Sequence, residues 1–400
     1  MKYEKKALAL GLSVALALGM TACGGSSDSA AAEAKTTAPA ANSTAAAANS
    51  NAAGTNGETS GTSFPCSDYG LDINCTDFLS GNYPELPADG PTYNFSLAHA
   101  SSETSDGHLV LLDLKNALEY YSGGKISLTI YPNGQMGSDA EMISSCVAGD
   151  IDMVYQSGST HATFVPETVI FDTPFLFTGY DFDQVEEILL NSEFRDRYNA
   201  ANEEAGLVCL MLRACETMNL TSNKAVNSLA DLKGLKIRTA QAESRMAIWS
   251  ALGANPTPLA FSELYMALQN GTVDAQDNLL GTAVVNGLAE QQKYLIPTAH
   301  MVAGFDMTMN KDKFYAMPEE YQKFFWQICT ELSRMDATIG HTKETAYYQQ
   351  LQDEFGLEVC EISDTFAAEL KEAAAPAIEQ VKGLVGNDAM YETLEGLLNK

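Results

Sequence analysis

At 400 residues the chain is longer than one small core requires, and at about 150 residues per domain it should form at least two lobes. Hydrophobic residues make up 46% and charged residues 19%, a composition that excludes both a chain disordered throughout and a many-span membrane protein. Twenty-three Lys and Arg against 52 Asp and Glu leave a net charge of −29, with no segregated basic patch, so no nucleic acid partner is expected.

The chain opens with Lys2, Lys5 and Lys6, followed by an apolar run over residues 7–20. That run is too short to cross a hydrocarbon core of about 30 Å but suits the apolar part of a secretion signal. Met20-Thr21-Ala22-Cys23-Gly24 comes next. Small residues directly before a cysteine resemble the bacterial lipobox, with Met20 where leucine is commoner. The resemblance implies a lipoprotein signal peptide over residues 1–22, removed before Cys23, whose thiol is then acylated. The mature protein is expected to be extracytoplasmic and anchored to the cell membrane by lipid, in a periplasm or at the cell surface. Loss of residues 1–22 removes three lysines and one glutamate, taking the charge from −29 to −31. The following stretch, to residue 63, is rich in Ser, Ala, Thr, Asn and Gly and holds no Val, Ile, Leu, Met, Phe, Tyr or Trp after Cys23. Nothing in it can build a core, so residues 23–63 are expected to be a flexible tether spanning about 35 Å as a coil.

There are eight cysteines. If Cys23 is acylated an odd number remains, and at least one thiol is free. Cys66 and Cys75, in a loop-like N-terminal extension over residues 64–91, are the pair nominated for a disulfide. Cys146, Cys209 and Cys329 lie in apolar patterns that predict buried, inert thiols. No Cys/His spacing suggests zinc, and neither a metal nor a cofactor is expected.

From residue 92 the pattern alternates between periods. Thr92–Ala100 reads as a strand, His108–Tyr121 as a helix and Lys125–Tyr131 as a strand. A helix over Asp139–Ala148, closed by Gly149, then leads to a strand at Ile151–Tyr155. Such β-α-β units predict an α/β fold with a mostly parallel sheet. Val208–Asn223 reads as a long strand and Leu235–Thr239 as a short one. Glu243–Leu252 reads as a helix, and Ser262 as the cap of another that ends at Gly271. From Pro318, apolar residues recur at helical spacing as far as Gly356. About 38 residues at 1.5 Å each give a helix near 57 Å that either bridges two lobes or breaks near Gly340.

Residues 228–278 read SLADLKGLKIRTAQAESRMAIWSALGANPTPLAFSELYMALQNGTVDAQDN. The DLKGLKIR strand, the LGA-x-P-x-P connection, the F-S-E-L-Y-x-A-L-Q-x-G helix and the V-D-x-Q-x-N turn closely resemble the solute-binding subunit of tripartite ATP-independent periplasmic (TRAP) transporters, the DctP type. Weaker likeness extends over roughly residues 92–345. The resemblance implies a two-lobe, periplasmic-binding-protein-like architecture with crossing strands and a long C-terminal helix. Lobe I is expected at residues 92–215 plus 304–343 and lobe II at 216–303 plus 344–400. Such a receptor clamps a small organic acid and delivers it to TRAP membrane permease subunits driven by an ion gradient.

By the same resemblance Arg238, which ends the KGLKIR strand, pairs with the ligand carboxylate. Gln241, Phe261 and Asn278 match further ligand-touching positions, and Asp139 and Tyr155 match first-lobe positions facing the cleft. Sialic-acid-binding members carry a second arginine where this chain has Met218 and a glutamate near Ser157, so sialic acid is disfavoured and the far end of the site is expected to be less polar. Arg213 lies five residues from Met218 and on a regular strand would face the other side.

The chemistry agrees with a carboxylate ligand. Only six arginines stand in a strongly acidic chain, so an anion must be held by a specific donor, and the planar guanidinium offers two parallel hydrogen bonds with a charge that does not titrate away. No GxSxG, HExxH, GxxxxGK[ST] or GxGxxG motif supports the rival reading of an extracellular enzyme. A receptor for an ATP-driven importer or a sensor would share the architecture.

Overall fold

The computed structural model describes residues 65–400. The expected signal peptide, Cys23 and the tether to residue 63 lie outside the described residues. Nine strands form one sheet: β1 (Tyr93–Ala98), β2 (Ile126–Tyr131), β3 (Met153–Ser157), β4 (Leu207–Ser222), β5 (Lys236–Thr239), β6 (Asn255–Pro258), β7 (Ala275–Asn278), β8 (Tyr294–Asn310) and β9 (Glu358–Val359). Their order is β2-β1-β3-β8-β4-β7-β5-β6, with β9 on β8. The β-α-β periodicity is realised at both ends, where β1 runs parallel to β2 and β3, and β5 runs parallel to β6 and β7.

The expectation of a mostly parallel sheet fails in the middle. β4 and β8, 16 and 17 residues long, pair antiparallel with each other, β3 is antiparallel to β8, and β7 is antiparallel to β4. These two strands cross from one half of the sheet to the other and join what would otherwise be two separate α/β units. Local periodicity could not reveal this, because strand direction is set by the partner across the sheet.

The helices that the sequence places are found close to their expected bounds, and it did not place Phe182–Leu190, Glu193–Glu204, Asp364–Val385 or Asp388–Leu398. Asp106–Tyr121 starts from Ser105, whose hydroxyl accepts the His108 N–H, and Asp139–Ala148 ends at Gly149 in the left-handed conformation at φ 84°. Ser262 does not cap the next helix as expected. A 3₁₀ turn at Phe261–Glu263 precedes Leu264–Gln269, and the Glu263 carboxylate accepts the Ala260 N–H at 3.1 Å. The long helix runs unbroken over Glu319–Asp353, through Gly340. Tyr321, Phe324, Phe325, Ile328, Leu332 and Met335 pack into the core beside β1–β3, while Tyr347 and Leu351 pack with Leu280, Ala283 and Leu295 of the other half. Of the two alternatives the bridging helix is the one found.

Residues 65–91 pack as part of the first core. Tyr69, Cys75 and Leu79 are buried there, the nominated disulfide joins Cys66 to Cys75 with Cα atoms 5.7 Å apart, and the wholly buried Asp113 accepts from Ser67 N–H (2.8 Å), Ser67 Oγ (2.9 Å) and Tyr69 Oη (2.7 Å). Cys146, Cys209 and Cys329 are buried, and burial pushes the thiols of Cys146 and Cys209 up to about 12. At the C-terminus the expected division needs correction. Phe366, Leu370, Ala374 and Ala377 pack on the second half, but Val381, Val385, Met390, Leu394 and Leu398 pack with Val169, Ile188, Phe194 and Leu212, a segment expected in lobe I. The apolar faces of the last two helices match that side, which a sequence split at residue 344 does not anticipate.

Candidate functional site

The carboxyl ends of the parallel strands β1 and β3 and of β5 and β7 open onto one cavity of about 740 Å³, counting its open mouth. Open α/β sheets place ligand sites here because the chain leaves the sheet at strand ends with its polar groups free for other partners. Ala100, Ser101, Asp139, Tyr155, Gln156, Ser157 and Thr160 line it from one half. Arg238, Ala240, Arg245, Phe261, Asp277, Asn278, Leu279 and Thr282 line it from the other, with Met218, Ala303 and Phe305 of the crossing strands at its base.

Arg238 is the central charge. On β5, Ile237 points into the hydrophobic core, so strand alternation turns its neighbour Arg238 to the opposite face and the cavity. The guanidinium is 4% exposed, donates from Nε (3.2 Å) and Nη2 (2.9 Å) to the Leu259 carbonyl, and lies over the Phe261 ring at 5.8 Å. Burial pulls it down to about 10, partly offset by the carboxylates of Asp277 and Asp139, so it stays a cation at neutral pH. Arg197, Arg213, Arg245 and Arg334 each form a salt bridge, and Arg195 donates to the Cys209 and Leu210 carbonyls. Arg238, by contrast, forms no salt bridge to a carboxylate of the described residues. A buried cation held in plane by one carbonyl, with fork donors left over, has the chemistry to accept an anion.

Asp139, in the first turn of Asp139–Ala148, is half-buried in the same cavity, and burial raises its carboxyl against the lowering effect of Arg238. Asn278 donates from Nδ2 to Gln276 Oε1 at 2.5 Å, and Gln276 in turn donates to Thr221 Oγ1 at 2.7 Å, which fixes the amide at the end of β7. Tyr155 presents its ring, stacked on Phe305 at 5.8 Å, while its hydroxyl is engaged with Asp336 (3.0 Å) and Arg213 (3.1 Å). Five of the six predicted positions, Arg238, Phe261, Asn278, Asp139 and Tyr155, therefore share one cavity. The sixth, Gln241, is exposed and lines an adjoining recess with Asp139, Arg238 and Phe261.

The sequence reading missed a second cation. Arg245 projects from the helix Glu243–Ala251 onto the cavity wall, where Nε lies 3.0 Å from Ser159 Oγ and 3.2 Å from Asp172 Oδ1, and Nη1 lies 3.2 Å from Asp277 Oδ2. Burial alone would raise the Asp277 carboxyl, but contact with His300 and the charge of Arg245 hold it at about 2. With two carboxylates on it, Arg245 braces the wall and is not free for a ligand. No motif marks it, and only the packing of its helix brings it here. Arg213 also departs from expectation. It pairs across the sheet with Phe305 of β8, and Met218 pairs with Met301, so six residues of β4 oppose five of β8 through a bulge between Ala214 and Thr217. The extra residue restores the parity and turns Arg213 and Met218 to one face.

Residues 97–383 match the family model for bacterial extracellular solute-binding protein, family 7 (DctP). The 2,3-diketo-L-gulonate-binding periplasmic protein YiaO of Escherichia coli is 30% identical over 226 residues, 56% of this chain and 68% of that protein. Among solved structures, a TRAP periplasmic solute-binding protein from a Bradyrhizobium species in complex with galacturonate superposes with a TM-score of 0.71 at 28% identity, covering 77% of this chain and all of that one. The sugar acid binding protein DctPAm of Advenella mimigardefordensis, in complex with galactonate, has the same fold at a TM-score of 0.71 and 24% identity, covering 78% of this chain and 98% of that one. The cavity lies between two α/β halves at their strand ends, its one cation lacking a carboxylate projects from the KIR strand, and the family model spans most of the folded chain: this protein belongs to family 7 of the bacterial extracellular solute-binding proteins, the DctP type that serves TRAP transporters.

Proposed function

We propose that this chain is an extracytoplasmic receptor that closes on a small organic acid, pairs its carboxylate with Arg238 and hands it to a TRAP membrane permease. The observation that carries the reading is the buried Arg238 guanidinium, fixed by the Leu259 carbonyl and the Phe261 ring yet paired with no carboxylate of the described residues. A ligand carboxylate supplies the missing charge and fills the fork. Phe261 covers the paired groups from water, Asn278 and Asp139 meet polar groups of the ligand, and Tyr155 supplies an apolar wall. The two halves act as jaws, residues 92–215 with 304–343 against 216–303 with the chain beyond 344 as far as Ala377, and β4, β8 and the helix Glu319–Asp353 form the hinge between them. Relatives that bind 2,3-diketo-L-gulonate, galacturonate and galactonate support an acid as the cargo. The leader and Cys23 fit a lipid-anchored receptor held beside its permease.

Native mass spectrometry of the purified protein should show a co-purifying acid, and calorimetric titration with that acid tests the anchor. Removing the cation from a desolvated carboxylate costs roughly 3–5 kcal/mol, so Arg238→Ala should bind more than a hundredfold more weakly while melting near wild type. Arg238→Lys keeps the charge without the fork and should recover only part of the affinity. A folded Arg238→Ala protein with undiminished affinity overturns this reading.

A further inference from the structure

The cavity continues past the Tyr155 ring into a recess of about 420 Å³, again counting space open to solvent, which shares Ser101, Thr282 and Phe305 with the main cavity. Charges gather at this far end, but they are already matched among themselves. Arg213 binds Glu216 Oε2 through Nη1 at 2.7 Å and Asp336 Oδ2 through Nε at 2.9 Å, and its guanidinium lies over the Phe305 ring at 4.8 Å. Lys343 Nζ binds Asp106 Oδ1 at 2.6 Å, and the Tyr347 hydroxyl donates to Asp106 Oδ2 at 2.6 Å. Two cations thus face three carboxylates, Glu216, Asp336 and Asp106, and the surplus is negative. Arg213 and Glu216 are each 7% exposed and Asp336 2%, so water screens little of this.

Resting on the assignment of the ligand carboxylate to Arg238, we propose that Glu216 makes this site selective for monocarboxylates with a hydroxylated tail and sets it against dicarboxylates. Glu216 neutralises Arg213, the one arginine among the described residues that line this recess. A second carboxylate reaching that end would shed its water beside a net negative cluster with no free cation, which is costly; hydroxyl groups there can donate to carboxylate oxygens instead. Selectivity then comes from repulsion of the wrong ligand as much as from attraction of the right one. The bulge in β4 is what makes it possible, because it turns Arg213 and Met218 to one face within a few residues of Glu216.

The test is calorimetric titration of the full-length protein, stripped of bound solute, with galactonate, galacturonate and pantoate and with succinate, malate and galactarate. Galactonate and galactarate differ only in whether the far end is a hydroxymethyl or a carboxylate. Binding confined to monocarboxylates, with the best dicarboxylate weaker by roughly a hundredfold as expected for juxtaposed like charges, supports the inference. Any dicarboxylate bound as tightly as the best monocarboxylate overturns it and leaves the acid receptor standing. Failure of every acid to bind, together with a co-purifying molecule that carries no carboxylate, overturns both. Glu216→Gln, with a melting curve to confirm folding, should narrow the ratio of monocarboxylate to dicarboxylate affinity by about tenfold. An unchanged ratio in a folded variant counts against Glu216, and the wild-type comparison stands whether or not that variant folds.

Discussion

Whether a charged side chain is free or already matched decides what it does, and this separates Arg238 from Arg245 and Arg213 although all three are buried around one cleft. The same accounting applies to His99 and His108, whose Nε2 and Nδ1 lie 2.9 Å apart, a bond that needs at least one neutral ring. Burial pulls His99 down to about 3, with the nearby His108 adding to the effect, and burial lowers His108 as well. Both folded values lie below the ordinary 6.5, so the unfolded chain takes up protons first as the pH falls. The stabilisation is complete above about pH 6.5 and is lost progressively toward pH 3, roughly 2–3 kcal/mol for His99 by pH 4.5. Thermal melts between about pH 7.5 and pH 4.5 should therefore fall more steeply for wild type than for His99→Asn, and parallel curves would exclude the pair as the source.

At the scale of elements, β1, β2, β3 and β5 and the helices beginning at Asp106, Asp139, Glu243 and Glu319 were legible because each carries its own periodicity: Leu111, Leu114 and Leu118 mark one helix face, and Ile126 and Leu128 one strand face. β4 was also legible, but β8 and the antiparallel pairing between them were not. A bulge has no sequence signature, and a register is a relation between two distant segments. Gly304 shows the constraint this places on β8. A Cβ built there would lie 2.4 Å from Phe171 Cγ and Cδ2, and Phe171 is 1% exposed in a core with Phe177, Phe194 and Tyr198. The ring has nowhere to go, so Gly304→Ala should lower stability by about 1–3 kcal/mol, read by denaturant unfolding, as expected for overpacking. Adding Phe171→Leu should recover part of that loss, whereas simple additivity of the two would show that the methyl and the ring do not meet.

Across the whole molecule, the strong negative charge, the leader and the apolar-free stretch before the folded part fit a receptor tethered at a membrane. Expressed with its own leader, the protein should partition into the membrane fraction, and Cys23→Ser should release it or leave it unprocessed; a wild-type protein found wholly soluble outside the cell rules the anchor out. The sequence by itself pointed to the family and to much of the α/β pattern, nominated the Cys66–Cys75 pair and singled out Arg238 as the candidate anchor, because each is written in contiguous residues: a motif, a period or a nearby pair of cysteines. Only the tertiary structure decided that the long helix bridges both halves, that the last helix returns to the first side, that Arg245 is neutralised by Asp172 and Asp277, and that Arg213 turns into the cleft with Glu216 and Asp336 upon it. Those are charge balances and packing contacts between segments up to more than a hundred residues apart, and such pairings exist only once the chain has folded.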